Sequence, residues 1–526
     1  MNLRVKVLDG EYWWGGSSSE ASLGNMPLSS ESIYSVDLRK TDNQTMPLFL
    51  SSKGRYIYSD APFLLKLDGG YIECISHTGA TVDLYEAGAT LRDAYLSAMN
   101  KHFKFSGKLP PLKFFETAQY NTWMEFDYEP NQKGVLEYAH AIIDNGYEPG
   151  ILIIDEGWHT RYGEWEFDFA KFPNPRAMVD ELHALGFTVL LWVVPVHSAD
   201  GKEFSMLTMP SLSFLKGAAK GKEHFLRTDG GKVALVSWWN GYSALFNLKN
   251  QDDRELLKSK LDYLMEAYGV DGFKFDGGNI AHIYNPDRIV NGKQTAYTPE
   301  ELNIAWNEFG EQYEYHEFKD TYGRGGKAVI QRLSDRAHRW GMNNGLASVI
   351  PASLLQGLIG HPFICPDMIG GGSWAFNYME GFECDAELFV RMAQCSALFP
   401  MMQFSWAPWR MLPPEYQEYC LGAAKMHKRF LPYIKGLIEE AANSGEPFVR
   451  HMEYQYPNEG FELLDDQFAL GNDIIVAPVI EKGAITRTVR LPRGKWLYLG
   501  QNEYDGGEVT VPAPIDVLPY FIKKAE

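Results

Sequence analysis

The strongest constraint on this chain is a rhythm. From about residue 113, short apolar runs alternate with amphipathic stretches, and several runs stop on an aspartate. The runs are Phe115-Glu-Thr-Ala-Gln-Tyr120, Ile151-Leu-Ile-Ile-Asp155, Thr188-Val-Leu-Leu-Trp-Val-Val194, Gly272-Phe-Lys-Phe-Asp276, Ala328-Val-Ile-Gln-Arg-Leu333, Pro362-Phe-Ile-Cys-Pro-Asp367 and Pro400-Met-Met-Gln-Phe404. Pro447-Phe-Val-Arg-His451 reads as the eighth. Stretches with a helical period, such as 135–145, 177–185 and 255–268, lie between them. β-then-α repeated this often predicts an α/β protein built on a parallel (β/α)8 TIM barrel.

The flanks follow a different grammar. Residues 1–107 carry short alternating stretches broken by Gly, Ser and Asn, a pattern that predicts an N-terminal β-sandwich. Lys108-Leu-Pro-Pro-Leu112 is a stiff junction into a barrel over 108–452, with insertions near 200–245 and 280–325 lying over the strand ends. Runs such as Glu508-Val-Thr-Val-Pro512 predict a C-terminal β domain over 453–526. A chain of 526 residues exceeds what one core supports.

Charge and cysteines narrow the partners. A net charge of −19 argues against nucleic acid or an anionic membrane as a partner. No apolar run is long enough to span a bilayer, and the first residues show no secretory h-region. Cys74, Cys365, Cys384, Cys395 and Cys420 are scattered, without metal-site spacing, and read as free thiols of a cytoplasmic protein. Asn43-Gln-Thr45 matches a glycosylation sequon, which in that setting reads as chance. Oligomeric state stays open.

Asp155, Asp276 and Asp367 close three runs, and Asp335 follows a fourth within two residues. One such aspartate reads as a helix cap. Four on the strand-end face of a barrel predict a shared acidic pocket. Carboxylates alone would suit Mg or Ca. The same strand ends carry Trp158, Trp192, Trp340, Trp374, Trp406 and Trp409, with Lys274 and Arg332. Aromatic faces stack on sugar rings while Asp and Arg bind hydroxyls, so the mixture points to carbohydrate, with no metal and no cofactor. Glycoside cleavage needs two carboxyl groups, one ionised and one protonated. Lys274 shares a strand face with Asp276 and suits it to the ionised, nucleophilic role. Asp335, beside Arg332, Arg336 and His338, is left as the proton donor. His159 and His197 read as ordinary polar residues, and Gly370-Gly-Gly372 lacks the strand-to-helix setting of a phosphate loop.

At the level of motifs the chain resembles glycoside hydrolase family 31. Tyr268-Gly-Val-Asp-Gly-Phe-Lys-Phe-Asp276-Gly-Gly is similar to the family's nucleophile motif, and His361-Pro-Phe-Ile-Cys-Pro-Asp367-Met-Ile-Gly-Gly to its downstream signature. Tyr12-Trp-Trp-Gly-Gly16, Leu470-Gly-Asn-Asp-Ile-Ile-Val-Ala-Pro478 and Leu491-Pro-Arg-Gly-Lys-Trp496 also fit. The resemblance implies retaining, exo-acting hydrolysis of α-glycosides through a covalent glycosyl-aspartate. It places Asp276 on the nucleophile, Asp335 on the acid/base, and Asp155, Trp192, Lys274, Arg332 and Asp367 on the first sugar subsite. Trp406 is added as a sugar-stacking residue.

Two departures bear on the sugar. Asn279 stands where many members carry an acid, and Phe404-Ser-Trp-Ala-Pro-Trp409 replaces an Arg-and-His stretch that grips glucose. With the run Cys365-Pro-Asp-Met-Ile-Gly-Gly, these resemble the branch containing α-galactosidases. The expected substrate is a small oligosaccharide or α-glycoside, with galactose ahead of glucose and xylose. Transglycosylation and a non-catalytic sugar-binding protein are the rivals.

Overall fold

A computed structural model describes residues 3–29, 32–36, 42–208, 223–293, 296–373 and 382–524. Its centre is a curled parallel sheet whose strands we number β1 (Gln119–Asn121), β2 (Ile151–Ile154), β3 (Thr188–Val193), β4 (Gly272–Phe275), β5 (Tyr315–Phe318), β6 (Ile330–Arg332), β7 (Ile364–Cys365, resuming at Met368–Ile369) and β8 (Gln403–Phe404). Each pairs with the next in parallel, and β8 pairs with β1. The first half of β7 pairs with β6 and the second half with β8, so the path returns on itself as a (β/α)8 barrel.

The break in β7 falls at Asp367, whose φ is 86°. Such a backbone costs about 1–3 kcal/mol in a non-glycine residue and persists only when its surroundings fix it. Here Arg332 bonds one carboxylate oxygen and the Arg336 N–H donates to the other at 2.6 Å. The helix Gln251–Tyr268 shows why the β/α rhythm was readable. Asn250 caps its start, Leu257, Leu261 and Leu264 face inward, and Gly269 ends it at φ 79°.

Three readings of the barrel need correction. The fifth ladder is Tyr315–Phe318, inside the stretch 280–325 expected to be an insertion. Its four residues spell Tyr-His-Glu-Phe, and His316 and Glu317 disguise a strand whose every residue beyond Tyr315 is buried. The helix Pro299–Gly310 before it is the ordinary connection from β4. Pro447–His451 therefore has no place in the barrel; Val449–Arg450 pairs antiparallel with Phe468–Leu470 in the C-terminal sheet. The first strand also starts later than expected, since Phe115 lies in a helical turn, Lys113–Glu116.

Before the barrel, two antiparallel sheets face each other, with Val5, Tyr34, Leu65 and Ile72 of one packed on Trp13, Phe49 and Ile57 of the other. The second sheet reaches the barrel: Gln44 and Thr45 pair in parallel with Thr321 and Tyr322, just beyond β5. After the barrel, a six-stranded antiparallel sheet closes over Ile475, Val489, Trp496, Val511 and Phe521. Buried Arg391 ties that sheet to the barrel by donating to the carbonyls of Ala513, Pro514 and Val517. In the region 200–245, Leu235–Trp238 and Gly241–Leu245 form a hairpin that also pairs with Val196–Ser198. None of the helices described is long and apolar enough to cross a membrane.

Candidate active site

The C-terminal strand ends open into a cavity of about 380 Å³. Asp155, Trp192, Lys274, Asp276 and Asp335 line it, with Trp123, Tyr128, Glu156, Trp239, Asn279, His282 and Lys319. Arg332 and Asp367 lie fully buried behind it and bond to each other. Trp406 is not among its lining residues; its ring packs on Phe382 and His338. Trp158 is buried beneath, donating to the Trp192 carbonyl at 2.9 Å. Trp374 falls outside the described residues.

Asp276 follows β4 on the cavity floor. One carboxylate oxygen accepts from Trp192 Nε1 at 2.9 Å and stands 4.0 Å from Lys274 Nζ. The other accepts from the Gly277 N–H at 2.7 Å. That turn needs glycine: Gly277 has φ 66°, and a Cβ there would meet Ile283 at 2.5 Å. Lys274 gives its closest contact, 2.7 Å, to Asp155, which also accepts from Asn121 at 2.8 Å. Burial pushes the Asp276 carboxyl up, but Lys319 and Lys274 outweigh it and hold it below the usual carboxylate range. The result is an ionised carboxylate with two donors fixing its direction.

Asp335 stands in the loop after β6 and is a third exposed on its side chain. It bonds Lys319 Nζ at 2.9 Å and Arg332 at 3.1 Å. Burial again pushes up, and again loses: Lys319, Arg332 and Lys274 hold this carboxyl well below its ordinary value. Asp276 feels the charge of Asp335 directly, and Lys319 feels both carboxylates. The lysine therefore couples the two.

Alternation and strand-end position gave Asp155, Trp192, Lys274 and Asp276. They gave no sign of Lys319, because its strand was not recognised. Glu156 was also missed, although it follows Asp155 directly. It is buried, and accepts from Tyr162 at 2.7 Å and from Asn240 at 2.5 Å. Burial, with the charges of Asp155 and Asp276, raises it to about 8 against the hydrogen bonds from Tyr162 and Trp239. Asn279 caps the turn Ile280–Tyr284 by accepting from the His282 N–H. Among the described residues, no group of three or more His, Cys, Asp or Glu is arranged to hold a metal ion.

A barrel with an ionised strand-end aspartate and a second carboxylate on one sugar-sized cavity describes many glycosidases. The family match is more specific. Residues 108–437 match the TIM-barrel domain of glycosyl hydrolases family 31, and residues 445–526 match that family's C-terminal domain.

The chain belongs to glycosyl hydrolase family 31.

Relatives within the family are varied. The chain is 30% identical over 443 residues to the myogenesis-regulating glycosidase of Mus musculus, covering 82% of this chain and 60% of that protein. It is 25% identical to a 1,3-alpha-isomaltosidase of Kribbella flavida, covering 76% and 54%. It thus spans little more than half of either relative. Among solved structures, a family 31 dextranase of Flavobacterium johnsoniae complexed with glucose superposes with a TM-score of 0.84 at 20% identity, covering 100% of this chain and 66% of that one. That likeness supports the fold.

Proposed function

We propose that this protein is a retaining, exo-acting α-glycoside hydrolase. Asp276 attacks the anomeric carbon as Asp335 gives its proton to the departing oxygen, forming a glycosyl ester on Asp276. Asp335, now a carboxylate, takes a proton from water as that water opens the ester, so net retention follows from two inversions. One observation carries the reading: Asp276 and Asp335 line a single cavity, each at hydrogen-bond or ion-pair range of its own fixed donors.

The electrostatics set one requirement. Free Asp335 is held ionised, so it must take up a proton from solvent as the substrate binds. A sugar that displaces water and loosens the Lys319 contact raises the carboxyl toward the range an acid needs. Asp155 and Lys274 offer charged groups suited to sugar hydroxyls, with the buried Arg332–Asp367 pair bracing the cavity from behind, and Trp123, Trp192 and Trp239 supply aromatic faces.

For the sugar itself we favour galactose. The replacement of the glucose-gripping Arg-and-His stretch by Phe404-Ser-Trp-Ala-Pro-Trp409 supports it. An axial 4-hydroxyl also leaves a galactoside one continuous C–H face for a tryptophan. One relative is named an isomaltosyltransferase, which keeps transfer to a sugar acceptor as the second reading. The test is a panel of nitrophenyl α-glycosides with NMR of the first sugar released. We expect α-galactoside to be cleaved fastest and the α-anomer to appear first. A first-formed β-anomer would overturn the mechanism, and faster α-glucoside cleavage would overturn only the sugar.

A further inference from the structure

Asn43 begins the one unexplained motif in the sequence, the sequon Asn43-Gln-Thr45. Its side chain has no room for a glycan: Asn43 is 1% exposed and faces the barrel. Its amide nitrogen donates to two backbone carbonyls, that of Lys319 and, at 3.1 Å, that of Arg332. Its amide oxygen accepts from the Ser334 N–H at 3.1 Å. Gln44 repeats the grip from one residue along, donating to the same two carbonyls at 2.8 and 2.9 Å. Gln356 and Ser18 donate to the Gln44 amide oxygen at 2.8 and 3.1 Å, which fixes which end of Gln44 points at the barrel. The Asn43 N–H donates to Asp320 at 2.7 Å.

The residues gripped are informative. Lys319 directly follows β5 and Arg332 ends β6, and these two cations hold Asp335. Ser334 is the residue before Asp335. The backbone at all three points is thus tied to two amide side chains from another domain. The Asn43 backbone has φ 65°, a left-handed conformation that Asn tolerates better than most residues. One residue type satisfies both the turn and the grip.

We propose that Asn43, backed by Gln44, is a positioning residue for the proton-transferring carboxylate Asp335, supplied to the barrel by the N-terminal sandwich. The inference rests on the function proposed above. A clamp on the acid/base loop acts on leaving-group protonation, and hardly on nucleophilic attack. Substrates that need a proton to depart depend on it, and those with good leaving groups do not.

The experiment compares phenyl and 2,4-dinitrophenyl α-glycosides of the preferred sugar with the parent enzyme and with Asn43→Gly, which removes the side chain without straining φ. Misplacing a catalytic group by about 1 Å can cost roughly 10²-fold, so we expect at least about tenfold loss in kcat/KM on the phenyl glycoside and under about threefold on the dinitrophenyl one. Gln44→Met, which removes half the grip and keeps Asn43, should show the same selective loss on a smaller scale, and it carries the test if Asn43→Gly does not fold. Equal losses on both substrates, or none, overturn the inference alone. A parent enzyme inactive on every α-glycoside overturns the function on which it rests.

Discussion

The two sides of the cavity are built by different means. Asp155, Trp192, Lys274 and Asp276 sit at the ends of three adjacent strands, and Trp192 is the direct ladder partner of Lys274. Parallel hydrogen bonding alone puts these groups together. On the other side Asp335 occupies a loop, and its surroundings come from β5, β6 and β7 and from the sandwich residues Asn43 and Gln44. Register holds Asp276; long-range contacts hold Asp335. A side fixed by register tolerates change in distant segments, whereas a side fixed by a strap inherits the stability of the strap.

Removing each carboxylate tests this contrast with the largest effects. Asp276→Ala should lose roughly 10⁴-fold or more in kcat/KM whatever the leaving group, because no ester forms. Asp335→Ala should lose roughly 10²–10⁴-fold on phenyl glycosides and far less on dinitrophenyl ones, with azide restoring turnover on the latter as a glycosyl azide. Matching profiles for the two variants would erase the division of labour.

Lys319→Met probes the coupling between the sides. Both carboxyls lie below their unfolded value of 3.8, so the stability they contribute is present above that value and lost as pH falls through the folded values. Without the lysine both rise. The pH profile of kcat/KM should move to higher pH on both limbs, and the midpoint of thermal unfolding should respond less to acid than in the parent. An unmoved profile would mean the lysine only fills space.

These differences also explain what the sequence could disclose. The β2, β3 and β4 runs are largely apolar, and those of β2 and β4 end on an aspartate, so the barrel and the position of Asp276 were legible. β5 was not, because Glu317 faces Arg332 and Gln403 inside the barrel and breaks the apolar pattern. With it went Lys319, which joins Lys274 and Arg332 in holding both carboxyls low. Asn43 was invisible for another reason: its partners lie 276 to 291 residues away, beyond the reach of any local pattern. Trp406, chosen for its aromatic face, packs against neighbours where its ring is already covered.

The smallest expected effect lies at Glu156, on the register-built side. Its carboxyl is raised, so it favours the fold when protonated and loses that advantage as pH rises from 4.5 through about 8. Glu156→Gln should therefore gain thermal stability relative to the parent at pH 8 and little at pH 5. A gain of equal size at both would show that hydrogen bonding to Tyr162 and Asn240, and not the charge, governs the site.

The central claim is that Asp276 forms a bond to the sugar. Incubation with a 5-fluoro-α-glycosyl fluoride of the preferred sugar, followed by peptide mass spectrometry, reads this directly. We expect one added fluoroglycosyl group, on the peptide bearing Asp276 and on no other. A label on Asp335 or Asp155, or an unlabelled enzyme that still turns the reagent over, would contradict the account.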